Sequence, residues 1–369
     1  LAQQGLTDEA LQGVYDLVCQ YRNVTLAAVA AGVKRPTFSS QWLRARAWAA
    51  NRGLHIPELV ISPEVQVDPP KKPFELPDLP DELPTADELR DRRKKSFARK
   101  RTARDARQMV GVKITIDGPY GIAHMGDPHV DDDGTDIGLL ERHVQIINKT
   151  EGLFAGNVGD YSNNWVGRLA RLYAEQGTTA REAWVLVEWL VQSTQWLYLI
   201  GGNHDCWSGA GDPIEWIARQ VGAQYERSGA RLSLRSPSGR VVRVNARHDF
   251  TGNSMWNTAH GPARAAQMGW RDHILTCGHR HTSGYQVLKD PASLLISHAI
   301  RVGSYKTYDR YADEKGLPDQ TIFVCPVTIV DPRFEDSDPR FITTIFDPEE
   351  GAEYLTWKRK RWARGSKAA

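Results

Sequence analysis

Hydrophobic positions recur at two different periods along this chain, and the change of period divides it. Near the start, Leu11, Val14, Val18 and Tyr21 return every three or four residues, the spacing of one helical face, and Thr7 stands where an N-cap is needed. A second short helix is expected over 25–31. Gly32 then breaks the pattern, and after Val33-Lys34-Arg35 it restarts at Pro36 with Phe38, Trp42 and Ala45 on one face, proline being favourable in a first helical turn. Ala28 is small enough for two helices to cross closely, and Gly32 can take the positive φ of the turn between them. From Val112 onward the period shortens. Apolar runs at 113–116, 120–124, 152–156 and 196–200 read as strands, with helical patterns at 135–147 and 180–195 between them. Further strands are expected at 231–234, 241–245 and 274–277. Strands alternating with helices predict a layered α/β core, and no internal repeat is present.

Charge sharpens this division. No aspartate or glutamate occurs from Leu17 to Pro57, while Arg22, Lys34, Arg35, Arg44, Arg46 and Arg52 all do. Helix, glycine turn and helix in a purely basic segment resemble a helix-turn-helix DNA-binding domain over 1–56. That resemblance places Lys34, Arg35, Ser39, Ser40, Gln41, Arg44 and Arg46 on or beside a recognition helix, for phosphate and base contacts with duplex DNA. A helical bundle with a solvated basic face is the alternative. Prolines at 57, 63, 69, 70, 73, 77, 80 and 84 make 57–85 a stiff extended linker. A basic helical segment follows over 86–110, with Arg92-Arg93-Lys94-Lys95, Arg99-Lys100-Arg101, Arg104 and Arg107. It reads either as a solvated helix or as a phosphate contact. The catalytic region is expected over 111–350. A basic tail over 351–369 mixes Trp357 and Trp362 with five cations from Lys358 to Arg364, and reads either as a binding tail whose aromatics stack on bases or as a frayed end.

Composition sets outer limits. A chain of 369 residues has room for one large and one small domain, and with 41% apolar and 25% charged residues it can bury a sizeable core. No apolar run approaches the ~20 residues that cross a bilayer, and Leu1-Ala2-Gln3-Gln4-Gly5 is not a leader, so neither secretion nor membrane insertion is expected. Cys19, Cys206, Cys277 and Cys325 are scattered with no CxxC pair, which argues against a disulfide framework or a zinc knuckle and fits a reducing cytoplasm.

Five short motifs follow predicted strands in order. They are Gly126-Asp127-Pro128-His129, Gly159-Asp160, Gly202-Asn203-His204-Asp205, His248, and Gly278-His279-Arg280-His281. Loops at strand ends are where α/β folds place their sites. Carboxylate, amide and imidazole donors without thiolate suit a pair of divalent transition ions, Mn²⁺ first, with Fe or Zn²⁺ as alternatives. His260, in a polar loop, is the rival to His248, which is preferred because it ends a strand pattern as the other motifs do. Asp131-Asp132-Asp133 reads as a solvated turn or a metal-recruiting cluster. His55, His124, His143, His273 and His298 have no partner motif and are read as packing or surface residues.

The ordered set resembles the calcineurin-like metallophosphoesterase superfamily, whose pattern is DxH, GD, GNH followed by an acid, a His, and GHxH. The resemblance covers about 112–300 and implies a layered α/β/β/α sandwich. It puts Asp127, His129 and His281 on one metal and Asn203, His248 and His279 on the other, with Asp160 bridging. It implies hydrolysis of a phosphoester by a nucleophile that the two ions generate, with His204 as general acid and Asp205 orienting its ring. The second motif departs from the family. Gly159-Asp160-Tyr161-Ser162-Asn163-Asn164 lacks the second acidic residue, for which Asn163 would substitute as an orienter, with Arg168 supplying charge.

A basic head and a basic run favour a polyanion, and a helix-turn-helix favours duplex DNA, so a DNA nuclease or phosphodiesterase is the first expectation. Two alternatives belong to other classes. One is a DNA-binding or packaging adaptor with a weak or inactive core, and the other is a protein or small-nucleotide phosphatase localised by its head. The combination resembles phage and prophage metallophosphoesterases with an N-terminal helix-turn-helix, which implies a bacterial cytoplasm.

Overall fold

The computed structural model describes residues 6–60, 82–165, 167–205, 212–308, 310–316 and 318–366. It divides into two compact units, Leu1–Pro84 and Thr85–Ala369.

The first unit contains three helices, α1 (Asp8–Tyr21), α2 (Val24–Ala30) and α3 (Arg35–Ala50). Thr7 caps α1 by accepting from the Ala10 N–H, and the Asn23 side chain caps α2 by accepting from Thr25 and Leu26. Gly32 turns the chain between α2 and α3 at φ 67°. Val18, Ala27, Ala28, Phe38, Trp42 and Ala45 form the core of the unit. The small side chains of Ala27 and Ala28 let α2 pack closely against its neighbours. Lys34, Arg35, Arg44 and Arg46 stay exposed. Of the expected linker, 61–81 lies outside the described residues. Its first residues run back along α1, where the Val60 N–H donates to the Arg22 carbonyl.

The second unit opens with α4 (Ala86–Ala106). The Thr85 hydroxyl and the Glu88 carboxylate cap its start reciprocally, and no residue of α4 is buried. Two six-stranded sheets follow. One has the order β1 (Val110–Lys113), β6 (Ala230–Arg235), β7 (Val241–Ala246), β8 (Ile274–Cys277), β10 (Ile296–Arg301), β9 (Gly284–Lys289). The other runs β12 (Ile342–Ile345), β11 (Val327–Val330), β2 (Tyr120–Met125), β3 (Leu153–Asn157), β4 (Trp196–Ile200), β5 (Tyr225–Glu226). Helices α5 (Ile137–Lys149), α6 (Ala180–Gln192), α7 (Pro213–Gln220) and α10 (Pro348–Ser366) supply apolar residues to the outer face of the second sheet. On the other side, α8 (His260–Met268) packs on β8 and β10, and α9 (Arg310–Lys315) lies in a connection. The unit is therefore a layered α/β/β/α sandwich.

Alternation along the strands builds both cores. Tyr120, Ile122, Phe154, Tyr198 and Ile200 face the other sheet, while Ala123, Met125, Ala155 and Leu199 face the helices. Between the sheets, the Tyr198 ring lies flat over Gly156, where a Cβ would meet it at 2.1 Å. Its hydroxyl bonds His124 Nδ1 at 2.8 Å, and His124 Nε2 meets the Thr328 hydroxyl at 2.8 Å. Burial pushes the pKa of His124 down to about 3, so this ring is a neutral packing group. His143 on the Tyr305 hydroxyl and His298 on the Tyr285 hydroxyl are similar.

Two expectations shift. The first strand lies at 110–113, three residues earlier than the pattern suggests, because Val110 and Val112 pair in parallel with β6 at a sheet edge. The basic C-terminus is no loose tail. In α10, Leu355 is fully buried, and the Lys358 ammonium reaches the buried Asp331 carboxylate at 3.0 Å. Arg359 donates to the carbonyls of Asp117 and Pro119, so part of the charge read as a binding tail holds the fold together. Among the described residues no helix is long and apolar enough to cross a membrane. Leu355→Ala should lower stability by about 2–5 kcal/mol in urea unfolding, whereas Lys360→Ala, on the exposed face, should stay within about 0.5 kcal/mol.

Candidate metal centre

Five strands deliver the candidate ligands to one edge of the sandwich. Asp127 and His129 follow β2, Asp160 follows β3, Asn203 and His204 follow β4, His248 follows β7, and His279 and His281 follow β8. Because β2, β3 and β4 are parallel, as are β7 and β8, their carboxyl ends project together. Backbone bonds then lace the loops. The Asp127 N–H donates to the Gly159 carbonyl, the His129 N–H to the Asp160 carbonyl, and the Gly278 N–H to the His248 carbonyl.

Two triads result. Asp127, His129 and His281 form one, and Asp160, His248 and His279 the other, with the donor atoms of each within 4.8 Å of one another. His129 Nε2 lies 3.1 Å from His281 Nε2, and His248 Nε2 lies 3.0 Å from His279 Nδ1 and 2.8 Å from Asn203 Oδ1. Asp160 Oδ2 sits between the triads, 3.1 Å from His248 Nε2 and 4.0 Å from His129 Nε2. All seven residues expected as ligands therefore converge.

The donor set fits two divalent cations. Asp127 Oδ1 is buried without a hydrogen-bond partner. His248 Nδ1 meets the Val158 carbonyl at 2.9 Å, so that nitrogen carries its hydrogen and Nε2 presents a lone pair to the site. Five of the six triad residues, Asp127, His129, Asp160, His279 and His281, hold positive φ between 39° and 71°. Non-glycine residues avoid that region unless the surroundings over-determine it. The glycines of the motifs are required by contact. A Cβ on Gly202 would stand 2.1 Å from Asp160 Oδ1, and one on Gly278 would stand 2.3 Å from Asp127 Oδ2.

Electrostatics agree with a site built around cations. Burial pushes the Asp127 carboxyl up to about 6 against the pull of His248 and His281. Burial resists ionisation of Asp160 too, but His248, His204 and His129 hold its carboxyl far below the usual range. For His248, burial works against charge, but the Asp160 and Asp127 carboxylates prevail and raise it to about 10. A bound cation would take the place of that proton. Burial keeps the His129 pKa well below its ordinary value and brings that of His279 down to about 4, so both rings are neutral.

The structure corrects the expected partner of His204. Asp205 does not orient its ring. The buried Asp205 carboxylate accepts backbone N–H groups from Asp160 (2.9 Å), Tyr161 (2.9 Å) and Gly202 (2.6 Å), tying the second and third motif loops together. Burial and the nearby Asp160 push its pKa up to about 7. His204 Nδ1 is held instead by the main-chain carbonyl of Asn163, which leaves Nε2 free for the cleft. The Asn163 side chain, expected as the orienter, donates to Asp132 and Gln176. The acidic turn is likewise structural. Asp131 accepts from the Asn163 N–H and from Gln176, Asp132 pairs with Lys306 at 2.9 Å, and Asp133 accepts from the Gly177 N–H. The Arg168 side chain lies outside the described residues. His260 sits in the first turn of α8 against Gly252 and joins neither triad.

A cleft of about 920 Å³ opens over the triads, lined by His129, Asp160, His204, His279 and His281 together with Trp165, Arg280, Arg301 and Lys306. Trp165 presents its face to Lys306 Nζ at 5.3 Å and packs edge-on with the His204 ring. The buried Arg301 guanidinium donates to the carbonyls of Gly278 (2.6 Å) and Thr258 (2.8 Å) and to Asp249 (3.1 Å), bracing the loops that carry His248 and His279. The Ser304 hydroxyl donates to the Asp127 carbonyl at 2.6 Å. Sequence reading passed over these residues. Arg280 lay inside the fifth motif, but Trp165, Arg301, Ser304 and Lys306 carry no motif.

No protein-family model and no curated protein matches the chain. Among solved structures the chain is similar to the calcineurin-like phosphoesterase YfkN from Bacillus subtilis, at 12% identity and TM-score 0.33, over 67% of this chain and 97% of that one. It is similar to the Pseudomonas putida nuclease MPE at 12% identity and TM-score 0.29, over 61% of this chain and 87% of that one. Chaetomium thermophilum Vps29 gives 10% identity and TM-score 0.28, over 61% and 92%. Likenesses this distant assign no chemistry, and the donor geometry alone carries the functional reading.

When the protein is loaded with a divalent cation such as Mn²⁺, His248→Ala should lower the bound metal from two ions per chain to one by elemental analysis, whereas His260→Ala should leave it unchanged. Asp205→Ala orphans three buried donors, each worth about 1–3 kcal/mol, and should destabilise the unit by several kcal/mol in urea unfolding.

Proposed function

We propose that this chain is a dinuclear-metal-dependent phosphoesterase that hydrolyses phosphodiester bonds of nucleic acid, DNA foremost. The carrying observation is the Asp160 carboxylate set between two buried triads of carboxylate and imidazole. Two divalent ions held there, Mn²⁺ foremost, would activate water at neutral pH and neutralise the phosphate oxygens.

The chain's own groups complete the chemistry. Asp127, His129 and His281 would hold one ion and Asn203, His248 and His279 the other, with Asp160 available to both. His204, fixed through Nδ1 by the Asn163 carbonyl, offers a proton at Nε2 to the departing oxygen. Arg280 and Lys306 line the same cleft and draw the phosphate toward its floor. Asp205 and Arg301 act behind them by keeping the loops in place.

Nucleic acid is favoured over a phosphoprotein or a free nucleotide by the rest of the chain. In the first unit, Lys34, Arg35, Arg44 and Arg46 are exposed on and just before α3, with Ser39 and Gln41 beside them, as a helix-turn-helix reading of duplex DNA requires. The exposed α4 adds a dense run of cations. A cytoplasmic setting accords with thiols that are free among the described cysteines.

With Mn²⁺ the protein should hydrolyse a small aryl phosphodiester and lose that activity in chelator. His204→Ala should keep two ions yet lose hydrolysis, most severely for poor leaving groups, by about 10²–10⁴-fold. Replacing Lys34, Arg35, Arg44 and Arg46 by alanine should weaken duplex binding, as measured by fluorescence anisotropy. The dependence on salt should flatten by about 0.9 in log–log slope for each phosphate that is no longer neutralised.

A further inference from the structure

Among the described residues, the four most exposed large apolar side chains are Trp256 (92%), Met255 (89%), Ile322 (83%) and Tyr308 (77%). They come from three separate segments, and all three segments border the metal cleft. Met255 lines it directly, and Asn257, Thr307 and Thr321, the chain neighbours of the other three, line it as well. Exposed apolar side chains scattered singly need no explanation, but four of them on three segments that border one cleft mark a binding surface.

The rim is held in place. The Trp256 N–H donates to the Ser254 hydroxyl at 3.1 Å, Asn257 Nδ2 donates to Gln286 at 2.8 Å, and the Thr258 hydroxyl donates to the Ser283 carbonyl at 2.6 Å. Arg301 ties the Thr258 carbonyl to the loop that carries His279. Across the cleft, the N–H groups of Thr307 and Tyr308 both donate to the Gly134 carbonyl. The rim is thus fixed relative to the floor, where Arg280 and Lys306 stand beside the triads.

We propose that this rim stacks on unpaired bases of single-stranded nucleic acid, Trp256 and Tyr308 foremost, while the backbone phosphate lies on the floor. The site would then cleave single strands or unpaired ends in preference to duplex. This deepens the phosphoesterase reading and rests on it. A single strand alternates flat apolar bases with anionic phosphates, which an aromatic rim around a floor built to hold divalent cations complements, and stacking tolerates any sequence because every base has a π-face. In a duplex the bases are already stacked on one another, so phosphates and sugars would meet the rim and its apolar surface would gain no partner. The two units then make different demands, a duplex for the head and an unpaired strand for the cleft.

The test uses full-length protein with Mn²⁺, one short oligonucleotide as single strand and as blunt duplex, and a small aryl methyl phosphodiester. The single strand should be cleaved with kcat/KM about ten-fold or more above the duplex. Trp256→Ala and Tyr308→Ala should each lower that value about ten-fold, chiefly through KM, with Trp256→Phe restoring most of it. Turnover of the small diester should stay within about two-fold. Preference for the duplex, equal losses on the small diester, or variants that change only the oligomeric state would overturn the proposal. If the wild type hydrolyses no diester at all, the phosphoesterase reading fails. Anisotropy with the same single strand in chelator then judges the rim alone, since Trp256→Ala must still weaken binding.

Discussion

Two carboxylates, four imidazoles and one amide oxygen point their lone pairs into one small buried volume, and such a cluster repels itself unless positive charge fills it. A single proton on His248, held by Asp160 and Asp127, relieves part of that repulsion. Two divalent cations would relieve all of it, and they would convert left-handed backbone at five ligand residues from a cost into a means of aiming donors. The rest of the second unit follows from this constraint. Parallel strands bring the loops to one edge, and motif glycines allow carboxylates within contact of a neighbouring backbone. Buried groups that touch no ligand directly keep the loops from relaxing.

Those supporting groups divide into two kinds. Some hold backbone, as Asp205 does for three N–H groups and Arg301 does for two carbonyls. Others fix an imidazole ring of the site, as the Val158 carbonyl does for His248 and the Asn163 carbonyl does for His204. In the second motif, where no second acid follows Asp160, a main-chain carbonyl at Asn163 orients His204. Backbone geometry substitutes for a side chain there.

The ligands were legible in the sequence because each occupies a short motif at the end of an apolar strand pattern, and the alternation along β2, β3 and β4 was equally plain. The fold's edges were not. Strands β9 to β12 carry weaker alternation, and their pairing depends on distant partners, as in β11 against β2. The role of Asp205 was misread because adjacency to His204 in sequence suggested contact, whereas β4 ends in a turn that points the carboxylate back at the β3 loop. Lys358 and Arg359 looked like part of a free basic run. Only the packing of α10 shows that Asp331 and the carbonyls of Asp117 and Pro119 use them. Trp256 and Tyr308 carry no pattern at all, and their meaning comes from which cleft they border.

If both triads hold metal and share Asp160, electron paramagnetic resonance of the Mn²⁺-loaded protein will register the two ions as a coupled pair. The expected result is an exchange-coupled spectrum saturating at two ions per chain, since a carboxylate shared between two metals would place them about 3.5–4 Å apart. Isolated six-line signals saturating at one ion per chain would contradict it.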